Sequence, residues 1–255
     1  MKIFAVLFIF VLSSASFAKD DLKSFATGLD KTLRHLNRSD SRPCDAENLT
    51  PSSARLVNYK GTPATVMSEE DAQALFTELK NKKDIPYDFS LAGCEQRAHE
   101  MSRLMLLKGI TPLKGFASVD ENKPPRLEIP HPKKKNERIR WKYHVAPVVL
   151  IEKNGELIPF TIDPSMEAKA VPTSQWVGDM SKHNKAMKVK LQFTPANQYD
   201  VDGRLRVDPR DKEFTQSNQE SLREFKKYSE DPHGEEEWMF QQQLMEDKLN
   251  SMPGY

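Results

Sequence analysis

The chain has 255 residues, of which 38 are Lys or Arg and 37 are Asp or Glu, for a formal charge of +1. That balance excludes the strongly basic field on which nucleic-acid binders depend. Ten Gly and 17 Pro, with no period, exclude collagen-like and low-complexity chains. With 38% apolar residues, the length suits one or two domains around a modest core.

The first 18 residues read as a secretory signal peptide. Lys2 supplies a positive start, Ile3 to Leu12 is an unbroken apolar run, and Ser13 to Ala18 ends on a small-x-small cleavage signal. Ten apolar residues fall short of the roughly 20 that a spanning helix needs. No Cys stands near the cleavage site to carry a lipid. The expected product is secreted or periplasmic, cut near Ala18, with no stable membrane anchor.

Residues 19–64 form a polar N-terminal arm or pro-segment in this reading. A helix is predicted next: Ser68 caps it, Asp71 follows three residues on, and Ala72, Leu75, Phe76 and Leu79 share one face. After Ile85-Pro86-Tyr87-Asp88-Phe89, a second helix runs from Cys94 to Lys108, with Gly109 as its stop. Strands are predicted at Gly115–Val119, in a short piece at Arg126–Ile129, and at Trp141–Ile151. Asn154-Gly155 then turns the chain into Leu157–Ile162. A further strand covers Lys188–Phe193, and the last 45 or so residues read as charged helix. Helices followed by an antiparallel sheet argue an α+β catalytic domain over 65–200, with 201–255 as a charged, mostly helical C-terminal region.

Charge divides unevenly. Residues 201–255 hold 8 basic and 13 acidic residues, and residues 19–200 hold 29 and 24. A solvated acidic tail is the simpler reading, and a tail folded back on a mildly basic body is the other.

The chemistry centres on Cys94. It follows Gly93 at the first turn of a predicted helix, where unpaired N–H groups and the helix macrodipole favour a thiolate. Such a site can take a thiol from about 8.5 into the range of roughly 3.5–7.5. Gly93 has no side chain to obstruct a substrate. A cysteine nucleophile needs a base and an orienting group. His144 is the one histidine inside a strong strand, and Asp163 closes the next strand. A hairpin about Asn154-Gly155 centred at 153.5 sets the two almost opposite each other. Cys, His, Asp in that order, on a helix and two strands, is the layout of transglutaminase-like and papain-like enzymes. His99 is read as a buried, hydrogen-bonded structural residue. Arg97 is read as structural, with Asp88 a candidate partner, Trp141 as core, and Tyr143 as a candidate cleft rim. Cys44 is a candidate disulfide partner for Cys94 that would mask the nucleophile.

Taken together, Ile85-Pro86-Tyr87-Asp88-Phe89, Gly93-Cys94, Arg97-Ala98-His99-Glu100-Met101, Trp141-x-Tyr143-His144-Val145-Ala146 and Ile162-Asp163-Pro164-Ser165 resemble the bacterial protein-glutaminase family. The resemblance spans roughly 84–170. It implies deamidation of protein-bound glutamine to glutamate on a transglutaminase-like fold. It also implies Cys94 as nucleophile, His144 as base and Asp163 as orienting acid. Members of the family carry a signal peptide and often a pro-segment, so intramolecular inhibition by 19–64 is a further expectation. The expected partners are proteins or peptides with accessible glutamine, with no cofactor, no metal and no nucleic acid. A basic insert, His131-Pro132-Lys133-Lys134-Lys135, and residues 200–255 lie outside the resemblance. A cysteine peptidase, a transglutaminase or an inactive transglutaminase-like binding module stand as alternatives on the same residues.

Overall fold

The computed structural model describes residues 53–120, 126–131, 133–184 and 187–251. The signal peptide, Cys44 and most of the N-terminal arm lie outside the described residues.

Two strands open the described chain, β1 (Arg55–Tyr59) and β2 (Thr62–Met67). They pair antiparallel through a turn at Lys60 and Gly61, with φ of 50° and 86°. Positive φ at both central positions gives the twist that a two-residue hairpin needs. Both strands begin before residue 65, so the sheet extends into the stretch read as an arm. Helix α1 (Glu69–Lys80) starts as predicted, with the Ser68 hydroxyl accepting from the Asp71 amide at 3.0 Å. Three acidic residues in its first turn complement the macrodipole. Its buried residues are Ala72, Leu75, Phe76 and Leu79, the face that the periodicity selects.

Helix α2 (Cys94–Leu107) begins on the cysteine and ends before Gly109, whose φ is 74°. Strand β3 (Leu113–Ser118) follows. The Pro- and Lys-rich stretch contains a separate hairpin, β4 (Leu127–Pro130) with β5 (Arg138–Trp141). The single strand expected over 141–151 is thereby split. Trp141 pairs with Leu127, while β6 (Tyr143–Lys153) starts a fresh ladder with Tyr143 opposite Ser118. Asn154 and Gly155, at φ 53° and 80°, turn β6 into β7 (Glu156–Thr161). Then come β8 (Val171–Pro172), α3 (Thr173–Ser181), β9 (Lys190–Pro195) and α4 (Lys212–Glu230).

The main sheet runs β1-β2-β6-β3-β9, with β7 on β6 and β8 on β7. It is mixed rather than antiparallel, because β2 runs parallel to β6 at Val66–Leu150 and Met67–Ile151. Strand β6 is the hinge of the architecture. Its Val149 and Ile151 pack with α1 and with Met101 and Met105 of α2. Val145 packs with Ala98 and Cys94 on the same side. Ala146 packs in the other direction, against Trp176 and Met180 of α3. Each buried Val, Ile or Met among them stabilises by about 1.5–3 kcal/mol.

The described residues up to Asp231 form one compact unit. The second unit contains α5 (Gly234–Ser251), whose first turn is acidic at Glu235, Glu236 and Glu237. Met239, Phe240 and Leu244 are exposed on it. Helix α4 belongs to the first unit and lies back on α2, where Asn218 donates to the Gln96 carbonyl at 3.1 Å and Gln219 to Glu100 at 3.2 Å. The fold-back over 212–230 is thus made by neutral side chains, not by the acidic charge that suggested it. No helix among the described residues is long and apolar enough to cross a membrane.

Candidate active site

The loop before α2 is shaped by one arginine. Arg97, 4% exposed, sends Nη1 to the carbonyls of Phe89 at 2.9 Å and Ala92 at 3.0 Å, and more distantly to Pro86. These bonds fold residues 86–92 onto the first turn of α2, so Arg97 is structural as expected. Its partners are carbonyls, however, and Asp88 pairs instead with Lys133 at 2.8 Å. Gly93 stands at φ 87°, a conformation that a side chain makes costly. A Cβ there would lie 2.9 Å from the Phe225 ring of α4. The space beside Gly93 is therefore filled by Phe225, which stacks on Phe89 at 5.0 Å, and is not left open for a substrate.

Cys94 takes the first helical position as a free thiol. Its Sγ donates to Glu95 Oε2 at 3.2 Å, and the backbone of Val145 also hydrogen-bonds the sulfur. Burial, then the Glu95 charge, raise the thiol pKa well above its ordinary value, and Arg97 and Val145 only partly offset them. The thiolate expected from helix position alone is overridden here, because desolvation and an adjacent anion both favour the neutral form. Glu95 Oε1 in turn accepts from the Tyr143 hydroxyl.

His144 is 1% exposed and Asp163 2% exposed. His144 Nε2 and Asp163 Oδ2 are 2.8 Å apart, as the hairpin argument anticipates. The geometry differs in detail. The observed register pairs Lys153 with Glu156 and Val148 with Thr161, and no β7 residue faces Tyr143–Pro147. Asp163 lies two residues beyond the end of β7, in the loop that crosses this uncovered part of β6. It is not a strand residue directly opposite His144, and their contact is diagonal. Trp176 Nε1 donates to Oδ2 at 2.9 Å, and Ser165 donates to Oδ1 from its amide at 3.1 Å and from its hydroxyl. Burial pushes the Asp163 carboxyl up, but His144 and the donors from His144, Ser165 and Trp176 outweigh it and hold it at about 2.

The imidazole is clamped between rings. Trp141 stacks on it at 4.9 Å and 12°, and Trp176 lies 5.7 Å away on a tilt. Trp141 also donates to the Ser90 carbonyl at 3.1 Å, tying the ring stack to the loop that precedes Cys94. It packs on the core cluster of Ala146, Trp176 and Met180, as its reading as core expects, and it also walls the His144 site, a role hidden from sequence because it belongs to the end of β5. His144 Nδ1 is buried and has no hydrogen-bond partner among the described residues. His144 and Asp163 are thus brought together, whereas the Cys94 thiol is bonded to Glu95 and Val145 and not to the imidazole.

His99 is fully buried, but neither ring nitrogen has a hydrogen-bond partner among the described residues. It packs edge-on against Tyr199 at 5.3 Å and Phe214 at 4.9 Å. Burial, with Lys114 and Arg103 nearby, takes its pKa to about 3, so it behaves as a neutral aromatic ring. Sequence reasoning missed Glu95, Trp176, Ser165 and the buried Lys114. Of these, only Ser165 carries a signal, as the residue two beyond Asp163 that can donate back to its carboxylate. Among the described residues, no group of three or more His, Cys, Asp or Glu is arranged to hold a metal ion.

The described elements define an α+β domain with a cysteine at a helix start and a buried imidazole–carboxylate pair beside its sheet. Residues 72–180, which contain Cys94, His144 and Asp163, match the model of a glutaminase family. The fold is similar to the NMR structure of protein-glutaminase from Chryseobacterium proteolyticum, at 20% identity and a TM-score of 0.51, over 63% of this chain and 88% of that one. It is also similar to the crystal structure of a pro-protein-glutaminase, at 20% identity and a TM-score of 0.50, over 62% of this chain and 57% of that one. Among the curated proteins, none matches this chain in sequence.

Proposed function

We propose that the protein hydrolyses the side-chain amide of protein-bound glutamine, giving glutamate and ammonia, with Cys94, His144 and Asp163 as a catalytic triad in a transglutaminase- or papain-like arrangement. The observation that carries the reading is the buried His144–Asp163 pair at 2.8 Å, whose other imidazole nitrogen, Nδ1, has no partner among the described residues. A base oriented through Nε2 and open at Nδ1 is equipped to take a thiol proton. In the first step the Cys94 sulfur attacks the amide carbon and the Cys94 proton passes to His144 Nδ1. His144 then protonates the departing nitrogen, and ammonia leaves a thioester. In the second step His144 deprotonates a water, which attacks the thioester and frees the glutamate. The Cys94 backbone N–H at the start of α2 is placed to stabilise the oxyanion of both steps. Asp163, held at about 2, stays anionic through the neutral range and favours the imidazolium that forms in each step.

The reading extends to processing. A secreted or periplasmic product, freed near Ala18, would carry a pro-segment drawn from 19–64. Because β1 begins at Arg55, a pro-segment that leaves the sheet whole ends before that residue. The test is ammonia release from a glutamine-rich unfolded protein, with mass spectrometry of the product, before and after trimming of the N-terminal arm. Glutamine-to-glutamate conversion that Cys94→Ala abolishes is the expected result. Backbone cleavage, incorporation of an added primary amine, or no reaction by the trimmed enzyme would overturn it.

A further inference from the structure

The Glu95 carboxylate is bound to two donors at once. Its Oε2 holds the Cys94 thiol at 3.2 Å and its Oε1 holds the Tyr143 hydroxyl. The thiol therefore spends its proton on Glu95, while His144 Nδ1, its expected acceptor, lies buried and without a partner among the described residues. We propose that Glu95 is a specificity-determining residue of the site: it holds the Cys94 thiol neutral at rest and, once the thiol proton moves to His144, accepts the N–H donors of the incoming carboxamide.

The inference rests on the deamidase reading and deepens it. An ionised carboxylate only accepts hydrogen bonds. When Sγ turns toward Nδ1, Oε2 loses its donor at a point 3.2 Å from where the sulfur stood. A primary amide whose carbon reaches the sulfur brings two N–H donors to that neighbourhood. The glutamate product brings none, only a second negative charge, and like charges this close repel. The same carboxylate that admits glutamine thus disfavours rebinding of glutamate.

The groups around Glu95 are consistent with this double use. Cys94 faces it from α2, Tyr143 from β6, Lys114 from β3 and Tyr199 from the segment after β9. Lys114 is fully buried, with Nζ donating to the Gln198 carbonyl at 2.7 Å. Burial takes its pKa to about 7, while Glu95 and Cys94 pull it the other way. Tyr143 and Tyr199 are both pushed up, by burial first and Glu95 next, and remain neutral donors.

The experiment uses the full chain and Glu95→Gln, which keeps the volume and removes the charge. Iodoacetamide alkylation is followed on the Cys94 peptide across pH, alongside steady-state deamidation of a glutaminyl peptide with its glutamyl counterpart as inhibitor. Alkylation at pH 7 should rise by about tenfold, the equivalent of one pH unit in the thiol's titration. The glutamyl peptide should become about tenfold more inhibitory, and kcat/KM for the glutaminyl peptide should fall. Tyr143→Phe, which removes the donor that shares the Glu95 charge and leaves a stronger acceptor for the thiol, should lower alkylation at pH 7 by about threefold, and it serves as the second variant should Glu95→Gln fail to fold. Alkylation and product inhibition within twofold of wild type in a folded variant would overturn the proposal. A wild-type enzyme that releases no ammonia would overturn the deamidase reading instead. The alkylation profile would then still decide whether Glu95 holds the thiol.

Discussion

Asp163→Asn tests the electrostatics of the site without relying on the reaction. The substitution keeps the side-chain volume and removes the charge that His144, Trp176 and Ser165 converge on. The carboxyl titrates at about 2 in the folded protein against an ordinary value of 3.8. A depressed carboxyl contributes stability that is fully present above its unfolded value and is lost as pH falls through its folded one. Nearly two pH units at about 1.36 kcal/mol each give about 2 kcal/mol at pH 7, of which about half is gone by pH 3. Urea denaturation of the full chain at pH 7, 5 and 3 measures this. Asp163→Asn should lower the pH 7 midpoint by about 1 M, given a slope of about 1–3 kcal/mol/M. The gap should be similar at pH 5 and clearly narrower at pH 3. A gap of equal size at pH 7 and pH 3 would show that the loss is steric or hydrogen-bonding in origin, and the charge argument would be wrong.

Gly93→Ala should cost about 1–3 kcal/mol from the left-handed backbone alone, with the Phe225 ring 2.9 Å from the new Cβ adding to it. Thermal melts check the loss, and an unchanged Tm would refute the packing of α4 against this turn. Lys114→Met acts with the opposite sign. The unfolded chain keeps the lysine proton up to about 10.5, whereas the folded protein releases it near about 7, so wild-type stability should climb between those values. The rise is on the order of 4 kcal/mol at about 1.36 kcal/mol per pH unit. The methionine variant should be more stable at pH 7 and lack that rise in denaturation curves at pH 7 and 10. Parallel pH dependence of the two proteins would refute a lysine whose burial outweighs the pull of Glu95 and Cys94.

What could be read from sequence depended on contacts of short range. Ser68 and Asp71 announce a cap within one turn. Ala72, Leu75, Phe76 and Leu79 announce a face through helical period. Asn154-Gly155 announces a hairpin because both positions accept positive φ. That hairpin is also why His144 and Asp163 could be paired before any fold was known. The prediction missed the register by two residues, because the turn type sets the ladder while Asp163 leaves it. Trp141 was given to the wrong strand for a related reason: the strand-like stretch from 141 to 151 looks continuous, yet its first residue pairs into another hairpin.

The amino-acid sequence by itself determined the helix that begins at Cys94, the strand that carries His144, the turn that returns Asp163 to it, and a family resemblance in those blocks. These follow from local propensity and from period, which neighbours along the chain decide. Only the tertiary structure decided the rest. It laid β2 parallel to β6, closed Trp176 and Ser165 on Asp163, seated Phe225 against Gly93, and set Glu95 and Tyr143 on the thiol. Each of these joins residues remote in sequence or chooses among rotamers, and burial, which raises the thiol and lowers His99 and Lys114, exists only once the chain has folded around them.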